Sequence, residues 1–287
     1  MSLLYWLALS QIEYLSFREK YLLLVHFGTP EKIFNSSFDF MAGTGIIGPG
    51  KAKAVLETNI DNNGIVDMER RGTKVCRYSD PEYPPLLREI YDPPVLLYYK
   101  GKIPSGRCIA VIGSRNCSEK GMEKAREISA AVAGEGFCVV SGMARGIDSS
   151  AHMGALLNGC TTAVLGCGPD ICYPPENKQL MARIENSGCV MSEYAPGKRP
   201  DKYKFPARNR IISGISEAVV VIEAEKKSGA LITVEFGLDQ GKDIYTLDWG
   251  NETRSEGTAG LLEDGAIRIE GIKEFIERIK AFNETYE

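Results

Sequence analysis

The sequence predicts an α/β protein in which a mostly parallel sheet carries helices on both faces and a small all-helical N-terminal domain precedes it. Three observations predict this. Short, near-continuous apolar runs recur through residues 108–247, as expected of strands buried on both faces of a parallel sheet. Helical stretches separate those runs, and βα alternation builds a doubly wound sheet with its ligand crevice at the C-terminal strand edge. The first part of the chain has neither feature and reads as helices alone. A chain of 287 residues suits one large domain plus a small one, here a helical domain over 1–70 and the sheet domain over 71–287.

In the N-terminal part, helices are expected at Leu3–Leu9, Phe17–Phe27, Pro30–Met41 and Gly50–Thr58. Between the last two, Gly48, Gly50 and Ala54 fit the GxGxxxA pattern of a helix-hairpin-helix. Its glycines allow a tight turn, and the free N–H groups opening the second helix can face a phosphate, with Lys51 and Lys53 adding charge. The same residues fit a glycine-rich turn that only packs two helices together, and both readings stay open. The apolar start, Met1 to Leu9, lacks a basic leader and is too short to span a bilayer. A packed helix is expected there, with no membrane insertion.

Asp80-Pro81-Glu82-Tyr83-Pro84-Pro85 and Asp92-Pro93-Pro94 read as an extended connector, because proline at this density breaks helices. Strands are expected at Cys108–Ile112, Phe137–Val140, Thr161–Leu165, Cys189–Met191, Ala218–Ile222 and Asp243–Leu247. The helices between them are expected at Glu119–Glu135, Ile147–Asn158, Glu176–Asn186 and Leu231–Gln240. A closing helix runs from Lys273 to Phe282, its stripe of Ile272, Phe275, Ile276 and Ile279 covering the core.

Hydrophobic residues at 44% and charged residues at 25% belong to a folded chain. A net charge of −4 excludes a surface coated in positive charge, so any nucleic-acid contact must come from a local patch. The eight cysteines form no CxxC pair, and His26 and His152 stand apart from them, so no zinc site is expected. Cysteines within apolar runs, such as Cys138, suit buried free thiols and a cytoplasmic setting. Neither a GxGxxG fingerprint nor a Walker A sequence occurs, and no cofactor is expected.

The strand ends carry the specific signal. Gly113-Ser114-Arg115 follows the first strand, and Ser141-Gly142-Met143-Ala144-Arg145-Gly146 follows the second. Gly166-Cys167-Gly168-Pro169-Asp170, Phe205-Pro206-Ala207-Arg208-Asn209-Arg210 and Ser228-Gly229-Ala230 follow in order. Small residues and donors just before a helix make an anion site from backbone N–H groups and the positive helix end. Between 198 and 210, Lys198, Arg199, Lys202, Lys204, Arg208 and Arg210 face one acid, Asp201, with Tyr203 and Phe205 interleaved. Cations that neutralise phosphates, beside rings on which bases stack, are what single-strand binding requires. The candidate binding residues are Gly113, Ser114, Arg115, Ser141, Gly142, Arg145, Lys202, Lys204, Phe205, Arg208, Asn209, Arg210, Ser228 and Gly229.

Several of these have a plainer alternative. Arg115 can fork onto a phosphate or pair with Asp148, and Arg145 can do the same or pair with Glu193. Asp148 and Ser149 read as helix-start residues, and His152 as an interior histidine.

Those five passages, in order over about residues 76 to 247, resemble the DNA-processing protein A (DprA/Smf) family. The resemblance implies an extended Rossmann-like domain that forms a homodimer, binds single-stranded DNA and hands it to the RecA recombinase in natural transformation, without catalysis. The helical N-terminal part is similar to the sterile-alpha-motif or hairpin-type domain of many members. Two places depart from the family pattern: Leu247-Asp248-Trp249-Gly250-Asn251 replaces a Pro-Gly-Asn turn, and Ala259 stands where asparagine is usual. No winged-helix domain is expected after the closing helix.

A competing reading is enzymatic. Ser228-Gly229-Ala230-Leu231-Ile232-Thr233-Val234-Glu235 has the outline of a phosphoribohydrolase turn, and Glu235 could stabilise an oxocarbenium-like centre. The double-glycine turn of those enzymes and a partner arginine are missing. A nucleotide-binding sensor on the same Rossmann variant is the other alternative.

Overall fold

The computed structural model describes residues 2–61, 63–250 and 255–281; Asn251 and Phe282, named above, lie outside them. Helices α1 (Leu3–Gln11) and α2 (Phe17–Phe27) open the chain, and a Ser16/Glu19 capping box starts the second. The single helix expected at Pro30–Met41 is two, α3 (Pro30–Phe34) and α4 (Phe38–Gly43). Ser37 causes the break, because its hydroxyl accepts the Phe40 N–H at 3.3 Å and caps a new helix. Then come α5 (Pro49–Leu56) and α6 (Asn63–Arg70), the latter absent from the sequence reading.

The proline-rich connector holds a short helix, α7 (Pro85–Arg88), and two strands not expected from the sequence flank it, β1 (Lys74–Arg77) and β2 (Leu96–Gly101). Its prolines bracket the strands rather than enter them, as the missing N–H of proline demands. β1 and β2 pair antiparallel, and Tyr83 is buried between them and α7, donating its hydroxyl to the Pro94 carbonyl at 2.8 Å.

The βα series follows as β3 (Cys108–Ile112), α8 (Glu119–Gly134), β4 (Cys138–Ser141), α9 (Ile147–Asn158) and β5 (Thr161–Leu165). After a turn of 3-10 helix at Pro175–Asn177 come α10 (Lys178–Ser187), β6 (Cys189–Ser192), α11 (Lys204–Ile215), β7 (Ala218–Val221) and α12 (Ala230–Asp239). The described chain closes with β8 (Asp243–Thr246), α13 (Glu256–Glu263), the short β9 (Ile267–Arg268) and α14 (Ile272–Ala281). The sequence places Phe205–Arg210 among the strand-end turns, whereas these residues belong to α11. Pro206 lies in that helix's first turn, where its missing N–H costs nothing.

Among the described residues the sheet has nine strands in the order β1-β2-β6-β5-β4-β3-β7-β8-β9. Pairing is parallel from β6 through β9, and antiparallel where β2 meets β6 and β1. Chain order runs outward from β3 in both directions, so the topological switch point lies between β3 and β7, where such sheets open a crevice. Two apolar cores fill the faces, one containing Ile128, Val132, Ile147 and Phe275, the other Leu87, Ile211, Ile215 and Val234. A third core joins Trp6, Leu23, Ile33 and Val55 of the N-terminal helices to Leu96 and Tyr98 of β2. No helix among the described residues is long and apolar enough to cross a membrane.

Candidate functional site

At the switch point the turn after β3 meets the turn after β7, and an open cleft of about 670 Å³ lies above them. Gly113, Ser114, Arg115, Asp148, Lys202, Phe205, Arg208, Asn209, Ser228 and Gly229 all contribute to its lining. Ser114 ties the two turns together. Its N–H donates to the Glu223 carbonyl at 2.8 Å, and its hydroxyl lies 3.3 Å from that of Ser228. Ser228 in turn accepts the Ala230 N–H at 3.3 Å, which fixes the start of α12.

Arg115 is exposed at the cleft rim, with its guanidinium carbon 5.5 Å from the centre of the Phe205 ring. Among the described residues it has no ion-pair partner, so the alternative of a bridge to Asp148 is not realised. The Phe205 ring leans against Tyr173 with centroids 5.3 Å apart, which extends the aromatic wall. Sequence reasoning passed over Tyr173; its place in the Cys172-Tyr173-Pro174-Pro175 turn gave no periodic signal. Lys202 is exposed beside the 73% exposed ring of Tyr203, 4.8 Å from its centre.

The structure separates the remaining basic candidates. Lys204 turns back, donating to the Arg199 carbonyl at 2.8 Å and lying over the Tyr194 ring. Arg145 pairs with Glu176, not with Glu193. Arg208 lines the cleft floor but is buried, donating to the Gly142 carbonyl at 2.9 Å and to the Val164 carbonyl. Burial pulls its pKa down to about 10, against the opposing charge of Asp148, so it remains a cation at neutral pH. Asp148, also buried, is pushed up by desolvation while Arg208 holds it down.

Arg210 is not brought to the cleft. A helix turns about 200° over two positions, so Arg208 and Arg210 leave α11 on opposite sides. Arg210 is 2% exposed, bonded to Glu193 at 2.9 Å and to Asp92 at 3.0 Å, with Phe17 of α2 4.3 Å from its guanidinium carbon. Ser141 also stands behind the wall, its buried hydroxyl donating to the Val111 carbonyl at 2.7 Å. Asn209 is at the rim of burial and donates to the Gly229 carbonyl at 3.4 Å, bracing the two walls.

Elsewhere, Asp148 accepts the Ala144 N–H at 3.3 Å and Ser149 donates to the Ala144 carbonyl, both bracing the start of α9. His152 is fully buried against Thr161 at 2.7 Å, and desolvation lowers its pKa to about 3. In the N-terminal hairpin, Lys51 pairs with Glu19 at 2.6 Å and Lys53 lies 3.8 Å from Glu57, so each lysine has an acidic neighbour. Glu235 is exposed and lies outside the cleft lining. No group of three or more His, Cys, Asp or Glu among the described residues could hold a metal ion.

Residues 74–280 match the family model described as DNA recombination-mediator protein A. Protein Smf of Synechocystis is 40% identical over 210 residues, which are 70% of this chain and 53% of that protein, so the chain spans about half of that relative's length. The X-ray structure of DNA processing protein A from Streptococcus pneumoniae superposes with a TM-score of 0.84 at 34% identity, covering 95% of this chain and 96% of the other. A structure described as giving insight into the single-stranded DNA binding mode of DNA processing protein A from Helicobacter pylori superposes at 0.66. It shares 28% identity and covers 72% of this chain and 95% of the other.

Proposed function

The chain belongs to the DNA recombination-mediator protein A family, and from that membership we propose that it binds single-stranded DNA along the switch-point cleft, protects it and loads RecA recombinase onto it, without catalysis. One observation carries the reading: the Arg115 guanidinium stands unpaired at the cleft rim over the Phe205 ring, a phosphate donor beside a stacking surface. Lys202 and the helix start at Ser228-Gly229 extend the track on either side. The relative from Helicobacter pylori, described by its single-stranded DNA binding mode, supports the ligand class. Pairing of two subunits in a homodimer would double a track that has few free cations in each. A cytoplasmic site of action fits the same role.

The test is fluorescence anisotropy of a labelled single strand and its duplex over a salt series, for wild type and Arg115→Ala. Salt-sensitive binding that prefers the single strand and collapses in Arg115→Ala supports both function and cleft. Binding that survives Arg115→Ala moves the site elsewhere. An absence of binding at low salt sinks the DNA reading. A cleft of about 670 Å³ is also the size of a small-ligand pocket, so a mononucleotide titration tests the sensor alternative. Turnover by wild type but not by Glu235→Gln would restore the enzymatic one.

A further inference from the structure

We propose that Arg71, at the end of the helical N-terminal part, is a positioning residue for the basic loop 198–203; this rests on reading that loop as part of the DNA track. The loop starts from a turn in which Gly197 has φ +77, the left-handed region, and the Lys198 carbonyl accepts the Gly168 N–H at 2.8 Å. Asp170, in the turn after β5, uses its two carboxylate oxygens in opposite directions. One accepts the Gly197 N–H at 2.9 Å, and the other accepts Arg71 Nη1 at 2.6 Å. Arg71 is gripped from its other side by Asp67 of α6, which accepts its Nε at 2.9 Å. A guanidinium forked between two carboxylates holds direction as well as charge, which an ammonium cannot do.

The chain of bonds therefore runs from α6 through Arg71 and Asp170 to the backbone of the DNA loop. Asp170 is only 9% exposed at its side chain, so this is a partly desolvated pair rather than a solvated surface contact. A second link runs in parallel: Glu13, after α1, pairs with Lys198 at 2.6 Å. The sheet supplies the turns of the cleft, while the helical part fixes where the loop that carries Lys202 and leads into α11 begins. Arg71 need not touch DNA to do this.

The experiment combines single-strand affinity with amide hydrogen exchange of the DNA-free protein. Arg71→Ala is expected to speed exchange at Gly197 and to weaken binding about fivefold, on the scale of couplings within one hydrogen-bonded network. The penalty should shrink in a Lys202→Ala background, where the loop has lost its own contact, and persist in Arg115→Ala, whose contact lies on another turn. Arg71→Lys should restore only part of the affinity, and an unchanged thermal midpoint confirms the fold. Wild-type affinity in Arg71→Ala, or the same penalty in both backgrounds, overturns the positioning role; the latter would mark Arg71 as a direct phosphate contact. A wild-type protein that binds no DNA overturns the proposed function itself, and this role with it.

Discussion

Replacing Arg210 with alanine should damage the fold and spare the DNA site, although Arg208-Asn209-Arg210 reads as one basic cluster in the sequence. Arg210 is 2% exposed and bonds Glu193, whose side chain is 10% exposed, and Asp92. Its removal takes from the buried Glu193 carboxylate the cation that holds it down most, and breaking a buried pair in this way costs about 3–5 kcal/mol. At roughly 2–4 °C per kcal/mol for a chain of this size class, the thermal midpoint falls by at least about 6 °C. The penalty depends on pH, with a sign set by Glu193. Burial raises that carboxyl above its ordinary range, while Arg210 pulls it down. Without Arg210 it rises further, so the native state holds a proton that the unfolded chain releases. That proton stabilises the fold below the ordinary carboxylate range, and its contribution is lost as pH rises through the folded value. Urea unfolding of Arg210→Ala should therefore show a smaller penalty at pH 5 than at pH 8. Single-strand affinity of the folded variant should stay within about a factor of two, the limit for independent sites. A variant of normal stability with lost affinity would refute the reasoning and return Arg210 to the cleft.

Three further outcomes follow from the same geometry. A Cβ at Gly142 would lie 2.7 Å from both Arg208 Nη2 and Asp148 Oδ2, so Gly142→Ala should destabilise by about 1–3 kcal/mol in urea unfolding and weaken DNA binding as the floor shifts. Lys202→Ala should lower the salt slope of single-strand affinity by about 0.7, the value for one phosphate, whereas Lys204→Ala, already tied to Arg199, should barely change it. Acid should unfold the protein partly through His152, whose pKa drops to about 3 on burial; a base with a lowered folded pKa gives stability above pH 6.5 that is lost on acidification toward 3. That loss is about 2 kcal/mol at pH 5, and His152→Gln should flatten this limb of the stability curve measured by denaturant titration.

The sheet was legible because its strands are buried on both faces, and continuous apolar runs such as Ala218–Val221 leave no other reading. β1 and β2 were hidden by the prolines between them, which announce a connector and draw attention from the short runs on either side. Helix α11 was hidden differently. Its run from Lys204 to Ile215 has polar residues at positions that turn out to be buried, so no apolar stripe marks it. Ser213 and Asn209 are buried polar groups satisfied by hydrogen bonds, and the pattern rule has no term for them. The cleft itself was legible as turn chemistry: Ser114, Arg115, Ser228 and Gly229 meet where strand-end logic places them. Which cations are free was not legible, because pairing depends on distant residues such as Asp92, Glu176 and Glu193.

That partition of cations bears on how a chain of net charge −4 would hold the proposed polyanion. Exposed charge serves long-range attraction, but a buried cation acts by another route. Arg208 donates to the carbonyl oxygens of Gly142, just after β4, and Val164, within β5, and so occupies two acceptors at the cleft floor. Left without that donor, those oxygens would repel a phosphate at the place where Arg115 is proposed to attract one. In the proposed site Arg208 supports anion binding by occupying acceptors at the floor, and the nearby Asp148 carboxylate favours its charged form. Such an arrangement is preorganised: the dipoles are aligned before the ligand arrives, and no side chain need leave a partner to bind it. On the proposed reading the weight of recognition falls on Arg115, Lys202 and Phe205.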